Sequence, residues 1–257
     1  MQAMDIAFCT ETVRLAGHAG DTIEAYVARP TTDTPRGGVV VIHHLPGYDR
    51  ETKEFVRRFA DAGYDAICPN LYSRVGLDVS PDDAAAAVRA DGGVPDQQVM
   101  GDLRAAVDHL RGLPTNNAKV ATIGHCSGGR HSYLAAATLP LDAAIVCYGG
   151  LIAGETPPQL PTMVPLIDRT PDIGCPVLGL FGNDDQFPTP AQVDQIEQAL
   201  RDAGKDYEFH RYDGAGHAFF SPDRPAYRVE AALDGWERIW TFLGARLGAL
   251  GAQEGEV

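Results

Sequence analysis

The sequence predicts an α/β fold, with a mainly parallel central sheet, helices on both of its faces, and an antiparallel hairpin at the N-terminus. Three observations carry this. Apolar runs of strand length alternate with segments of helical period along most of the chain, the pattern of a sheet built from strand–helix–strand units. Gly38-Val39-Val40-Val41-Ile42 is a continuous apolar, β-branched run, as expected of a strand covered on both faces. The run Gly124-His125-Cys126-Ser127-Gly128-Gly129 sits between an apolar stretch at 119–123 and a helical one at 131–137, so the chain turns there from strand into helix.

The elements follow in order. Residues 12–15 and 22–27 alternate around Gly17-His18-Ala19-Gly20-Asp21, which reads as a hairpin. Residues 38–42 are the first parallel strand. Residues 51–62 place Phe55, Val56 and Phe59 on one helical face, and Gly63 stops that helix. A short strand at 66–68 precedes helices at 82–90 and 96–110. In the second of these, Val99, Leu103, Ala106, Val107 and Leu110 are spaced for burial. The strand and helix flanking Cys126 come next, then a buried strand at 143–148 ended by Gly149-Gly150. Residues 156–171 are rich in proline and read as a loop near the mouth of the site. A strand at 176–180, a helix at 190–203 and an alternating strand at 207–212 follow. A last helix at about 225–247 carries apolar Trp236, Ile239, Trp240 and Leu243. No linker interrupts the alternation, so residues 1–257 are expected to form a single domain.

Composition excludes several functions. Lys+Arg number 21 against 35 Asp+Glu, a formal net charge of −14. Nucleic-acid binding rests on clustered Lys and Arg, and anionic membrane surfaces attract the same residues, so neither partner is expected. Residues 1–8 lack the basic start and apolar block of a signal peptide, and no apolar run reaches membrane-spanning length; a cytoplasmic location is expected. The cysteines number five, an odd count, with no C-x-x-C pair, which suits free thiols in a reducing compartment. Cys68, Cys147 and Cys175 lie in or beside apolar runs and read as small core residues. His18, His109, His131 and His210 have no metal-ligand spacing, and no H-E-x-x-H, Walker A or Rossmann pattern is present. No cofactor and no metal is expected.

The chemistry lies at Cys126. Small neighbours at Gly124 and Gly128 let the backbone take a strained angle and lift a side chain out over the sheet, the Gly-x-nucleophile-x-Gly elbow. The following helix places its positive end at the sulfur, which favours a thiolate. Two later turns complete the pattern. Gly182-Asn183-Asp184-Asp185 follows the strand at 176–180, and Gly214-Ala215-Gly216-His217 follows the strand at 207–212. Nucleophile, then acid, then histidine is the chain order of the α/β-hydrolase fold. Cys126 is the expected nucleophile, His217 the base and acid, and a carboxylate of the Asp184-Asp185 pair the group that orients His217. Adjacent side chains diverge, so only one of the two faces it. Backbone N–H groups of Ser127 and Leu45 are the expected oxyanion donors; Pro46 has none to give. His44, Tyr48, Tyr148 and Phe219 are expected to line the substrate pocket.

The chain resembles the dienelactone hydrolase family, the carboxymethylenebutenolidases and their relatives, from about the first hairpin to the last helix. The resemblance is carried by Gly124 to Gly129 with cysteine at the elbow, by the Gly182-to-Asp185 turn with Pro188 behind it, by Ala215-Gly216-His217-Ala218-Phe219, and by Gly63-Tyr64-Asp65-Ala66-Ile67-Cys68-Pro69-Asn70-Leu71-Tyr72. It implies hydrolysis of a small ester or lactone through a thioacyl intermediate, and it places the acid at Asp185. Two departures stand out. The family carries a glutamate where this chain has His44, which leaves His44 as a proton acceptor, a substrate contact or plain pocket lining. It also carries a carboxylate-binding arginine four residues after the histidine, where this chain has Ser221; Arg224 is out of register, and Arg89 or Arg74 could supply a second. Other readings are acyl transfer or thioester chemistry at the same triad, and a non-catalytic binding module that kept the fold.

Overall fold

The computed structural model describes residues 7–248. The two ends of the expected 1–257 domain, and most of the stretch read for a leader, lie outside the described residues.

Eight strands form one sheet. They are β1 (Phe8–Ala16), β2 (Thr22–Pro30), β3 (Arg36–Ile42), β4 (Asp65–Pro69), β5 (Asn116–His125), β6 (Ala143–Cys147), β7 (Val177–Gly182) and β8 (Tyr207–Tyr212). Their spatial order is β1-β2-β4-β3-β5-β6-β7-β8. β1 pairs antiparallel with β2, and β2 antiparallel with β4; every later pairing is parallel. This is the α/β-hydrolase arrangement expected, with the N-terminal hairpin at one edge. The hairpin is longer than its alternating core suggested, because β1 keeps pairing with β2 back to Phe8↔Pro30.

The helices are α1 (Arg50–Asp61), α2 (Pro81–Ala90), α3 (Asp96–Arg111), α4 (Ser127–Ala136), α5 (Pro190–Asp202) and α6 (Val229–Leu247). Strand periodicity sorts the core into two layers. Val40 and Ile42 of β3 point into a cluster with α3, α4 and α5, while Val39 and Val41 point into a cluster with α1 and α6. Both faces being covered explains the unbroken apolar run of β3, of which every residue is buried.

Two helix boundaries differ from expectation. α6 starts at Val229, not near 225, because the chain first makes a turn in which Tyr227 N–H donates to the Arg224 carbonyl. α4 starts at Ser127 and takes Gly128 and Gly129 into its first turn. Low intrinsic helix propensity is overridden there by the packing of the turn. Within the proline-rich stretch, Ile167–Asp172 forms a short 3-10 helix, and Thr162 Oγ1 donates to the Gly92 carbonyl at 2.7 Å.

Candidate active site

Cys126 stands at the joint between β5 and α4 with φ 55° and ψ −122°. A non-glycine residue there carries strain of about 1–3 kcal/mol, which the surrounding packing must hold. Two glycines make that packing fit. A Cβ at Gly124 would lie 2.0 Å from the Gly128 oxygen, and one at Gly128 would lie 2.2 Å from the Ile42 oxygen. The Cys126 N–H donates to the Cys147 carbonyl at 3.1 Å, tying the turn to β6. The Cys126 carbonyl takes the N–H groups of Gly129 and Arg130, so the side chain sits at the N-terminus of α4 and is half-buried.

His217 lies after β8, half-buried. Its Nδ1 meets Asp185 Oδ2 at 2.9 Å. A carboxylate only accepts, so Nδ1 carries a proton, and Nε2 is left for the Cys126 sulfur. Asp185 is 1 % exposed, and its other oxygen accepts the Phe187 N–H at 2.8 Å. Its neighbour Asp184 faces solvent, so the structure brings only the second of the two carboxylates to His217. Burial by itself would lower the affinity of His217 for a proton. The Asp185 hydrogen bond and the nearby Cys126 sulfur outweigh it, and the imidazole is pushed up to about 10. An imidazolium between a carboxylate and a sulfur is the partner a thiolate needs.

Leu45 and Ser127 line one small cavity together with His43, Leu71, Tyr72, His131 and others. Among the described residues, no backbone carbonyl takes up the N–H of either Leu45 or Ser127. Met163 of the proline-rich stretch lines the same cavity. Leu71, Tyr72, Val88, Gly93 and Val94 are shared with a neighbouring cavity of about 420 Å³.

The other expected pocket residues scatter. Tyr148 is buried at φ 40°, its ring edge-on to His217 with centroids 5.1 Å apart. Phe219 is wholly buried against Tyr148, at 5.3 Å between centroids. Tyr48 lines a separate cavity with Glu24, Lys53 and Asn70, and Lys53 Nζ lies 4.1 Å from its ring centre. His44 is buried, with Nε2 2.6 Å from Asp49 Oδ2. Burial alone would raise the Asp49 carboxyl; the hydrogen bond from His44 instead holds it down at about 2. Asp49 escaped the reading of the sequence, although an Asp just ahead of a helix is an N-cap signal. It caps α1 through Thr52 N–H at 2.9 Å, with its other oxygen on His44.

Of the arginines, Arg74 is committed to Asp102 at 2.7 and 3.0 Å and to Asp21 at 2.7 Å. Arg89 is exposed. Ser221 is buried, and Arg224 leans toward Glu51 at 3.8 Å. His125 packs beneath the elbow, stacked on Phe55 at 4.6 Å, and burial lowers it to about 3. Among the described residues, His44, Asp49 and Glu51 are the group that could hold a metal ion, with ligand atoms within 4.8 Å of one another.

A model of the dienelactone hydrolase family matches residues 23–247. The chain belongs to that family. A candidate carboxymethylenebutenolidase of Methylorubrum extorquens is 38 % identical over 220 residues, covering 84 % of this chain and 75 % of the relative. Another, from Escherichia coli strain K12, is 36 % identical over 232 residues, covering 86 % and 81 %. The crystal structure of a candidate dienelactone hydrolase from Klebsiella pneumoniae superposes with a TM-score of 0.80 at 33 % identity, covering 93 % of this chain and 99 % of that one. A dienelactone hydrolase-like promiscuous phosphotriesterase from metagenomic libraries shares the fold, with a TM-score of 0.76 at 22 % identity, covering 94 % and 100 %. This dienelactone hydrolase-family protein is therefore a hydrolase, and no helix among its described residues is long and apolar enough to cross a membrane.

Proposed function

We propose that this hydrolase cleaves a small ester or lactone through Cys126, His217 and Asp185, by way of a thioacyl intermediate. The observation that carries the reading is the strained elbow residue Cys126 beside an imidazole whose far nitrogen is held by a buried carboxylate at 2.9 Å. The sulfur, as thiolate, attacks the carbonyl carbon. The developing oxyanion is met by the N–H groups of Leu45 and Ser127. As the intermediate collapses, His217 Nε2 gives its proton to the leaving alkoxide and the thioester remains. His217 then takes a proton from water, hydroxide adds to the thioester carbonyl, and the thiolate leaves with the acid as product. Asp185 keeps Nδ1 protonated throughout.

Substrate charge follows from the departures. Arg74 is occupied by carboxylates, Arg224 leans toward Glu51 and Ser221 stands where the family's arginine would be, so of the arginines weighed only the exposed Arg89, outside the lining of the cavity at Leu45 and Ser127, is left to meet a substrate carboxylate. Uncharged acyl groups are the better fit. The test is a panel of activated esters and lactones, varied in acyl length and charge, run on wild type and Cys126→Ala. The variant should lose at least about 10³-fold in kcat while keeping its thermal melt. Wild-type turnover in Cys126→Ala would end the reading.

A further inference from the structure

The Leu45 amide must be aimed to serve as an oxyanion donor, and the residue two positions before it is built into a clamp. His43 follows β3 and is 2 % exposed. Its two ring nitrogens have different partners. The Leu71 N–H donates to Nε2 at 3.1 Å. Nε2 therefore presents its lone pair, and the ring proton sits on Nδ1. Nδ1–H in turn donates to the His44 carbonyl at 2.9 Å. The same carbonyl accepts the Gly47 N–H at 2.9 Å.

The His44 carbonyl and the Leu45 N–H belong to a single planar peptide. In the trans form the two bonds point in opposite directions. Holding the oxygen therefore aims the hydrogen. The following peptide is fixed as well, because the Tyr72 hydroxyl donates to the Leu45 carbonyl at 3.0 Å. Tyr72 packs edge-on against His43, centroids 4.6 Å apart, so the two side chains brace each other. The other expected donor, Ser127, needs no such device, since α4 itself orients its amide.

We propose that His43 is a positioning residue: it clamps the His44–Leu45 peptide so that the Leu45 N–H meets the tetrahedral intermediate without reorganising. This rests on the sulfur-nucleophile reading above. A preorganised donor acts on the transition state and leaves substrate binding alone, so its loss falls on kcat and not on KM.

Two reactions at the same sulfur separate this role from general support of the site. Ester turnover builds an oxyanion. Alkylation of Cys126 by iodoacetamide displaces iodide at a saturated carbon and builds none. In His43→Leu, kcat on an activated ester should fall about 10–100-fold with KM within about twofold. The rate of Cys126 alkylation, followed by peptide mass, should stay within about twofold of wild type. His43→Asn, whose amide N–H reaches the position of Nδ1, should recover most of the lost kcat. The proposal is overturned if kcat is unchanged in His43→Leu, if turnover and alkylation fall together, or if His43→Asn is no better than His43→Leu. Cys126→Ala is run alongside. Retained turnover there would remove the nucleophile reading itself, and the clamp with it, by a result distinct from the other three.

Discussion

Asp184 and Asp185 are neighbours in sequence and opposites in environment. One faces solvent; the other is 1 % exposed and bound to both His217 and the Phe187 N–H. Replacing each by Asn should separate them. Asp185→Asn should lower kcat about 10³-fold, because an amide that still accepts the Phe187 N–H at its oxygen turns a donor toward Nδ1 and leaves the wrong tautomer. Asp184→Asn should stay within about twofold. Protonation gives a second handle. His217 holds its proton up to about 10 in the folded protein and, unfolded, releases it near 6.5. Its contribution to stability is therefore full below pH about 6.5 and gone above about 10. Urea melts at intervals across that window should show the gap between wild type and His217→Gln closing as pH rises; a gap that widens would contradict the sign. Some of this site was readable from the chain, since Cys126, His217 and the Asp pair each follow a strand and a glycine-bearing turn. The choice between the two Asp residues came only from family likeness. The His44–Asp49 contact was not readable at all, because a side-chain pair across a loop leaves no periodicity.

Among the elements, the strands were the most legible. Val39, Val40 and Val41 need cover on both faces, and a parallel sheet between two helix layers is what provides it. The helices announced themselves by apolar spacing, but their ends did not. α4 begins with Ser127, Gly128 and Gly129, a start that intrinsic propensity argues against and that the crossing of backbones at the elbow demands. That demand can be measured. In Gly128→Ala a methyl group would meet the Ile42 oxygen at 2.2 Å, backbone against backbone, with no flexible side chain to yield. The urea midpoint should drop by the equivalent of about 3 kcal/mol, the upper end for overpacking. Gly174→Ala, where nothing lies within 4 Å, should stay within about 0.5 kcal/mol. Equal effects at the two positions would mean that the crossing is looser than the geometry requires.

At the scale of the molecule, the sheet divides the interior into two layers, and the site grows at one end of it where β5, β7 and β8 give way to turns. Arg130, fully buried in α4, spans the layer above the sheet: it binds Asp96 of α3 with its two terminal guanidinium nitrogens, at 2.5 and 2.9 Å, and also reaches the Val164 carbonyl. The proline-rich stretch is thereby anchored to the helix that follows Cys126. No pattern in the sequence pointed to this, since a lone arginine after two glycines looks like surface. The sulfur atoms are partitioned just as sharply. Cys68, Cys147 and Cys175 are sealed in the layers, where burial pushes each thiol up, that of Cys175 to about 12; Cys9 is open to solvent and Cys126 half-open. A chromogenic disulfide reagent should thus count two thiols on the native protein and all five after denaturation. The native signal should be biphasic, because one of the two sulfurs is half-buried beside the His217 imidazolium and the other is exposed on β1 opposite Arg29. If Cys126 is the nucleophile proposed above, the faster phase is then a direct optical gauge of how much working enzyme a preparation contains, independent of any substrate.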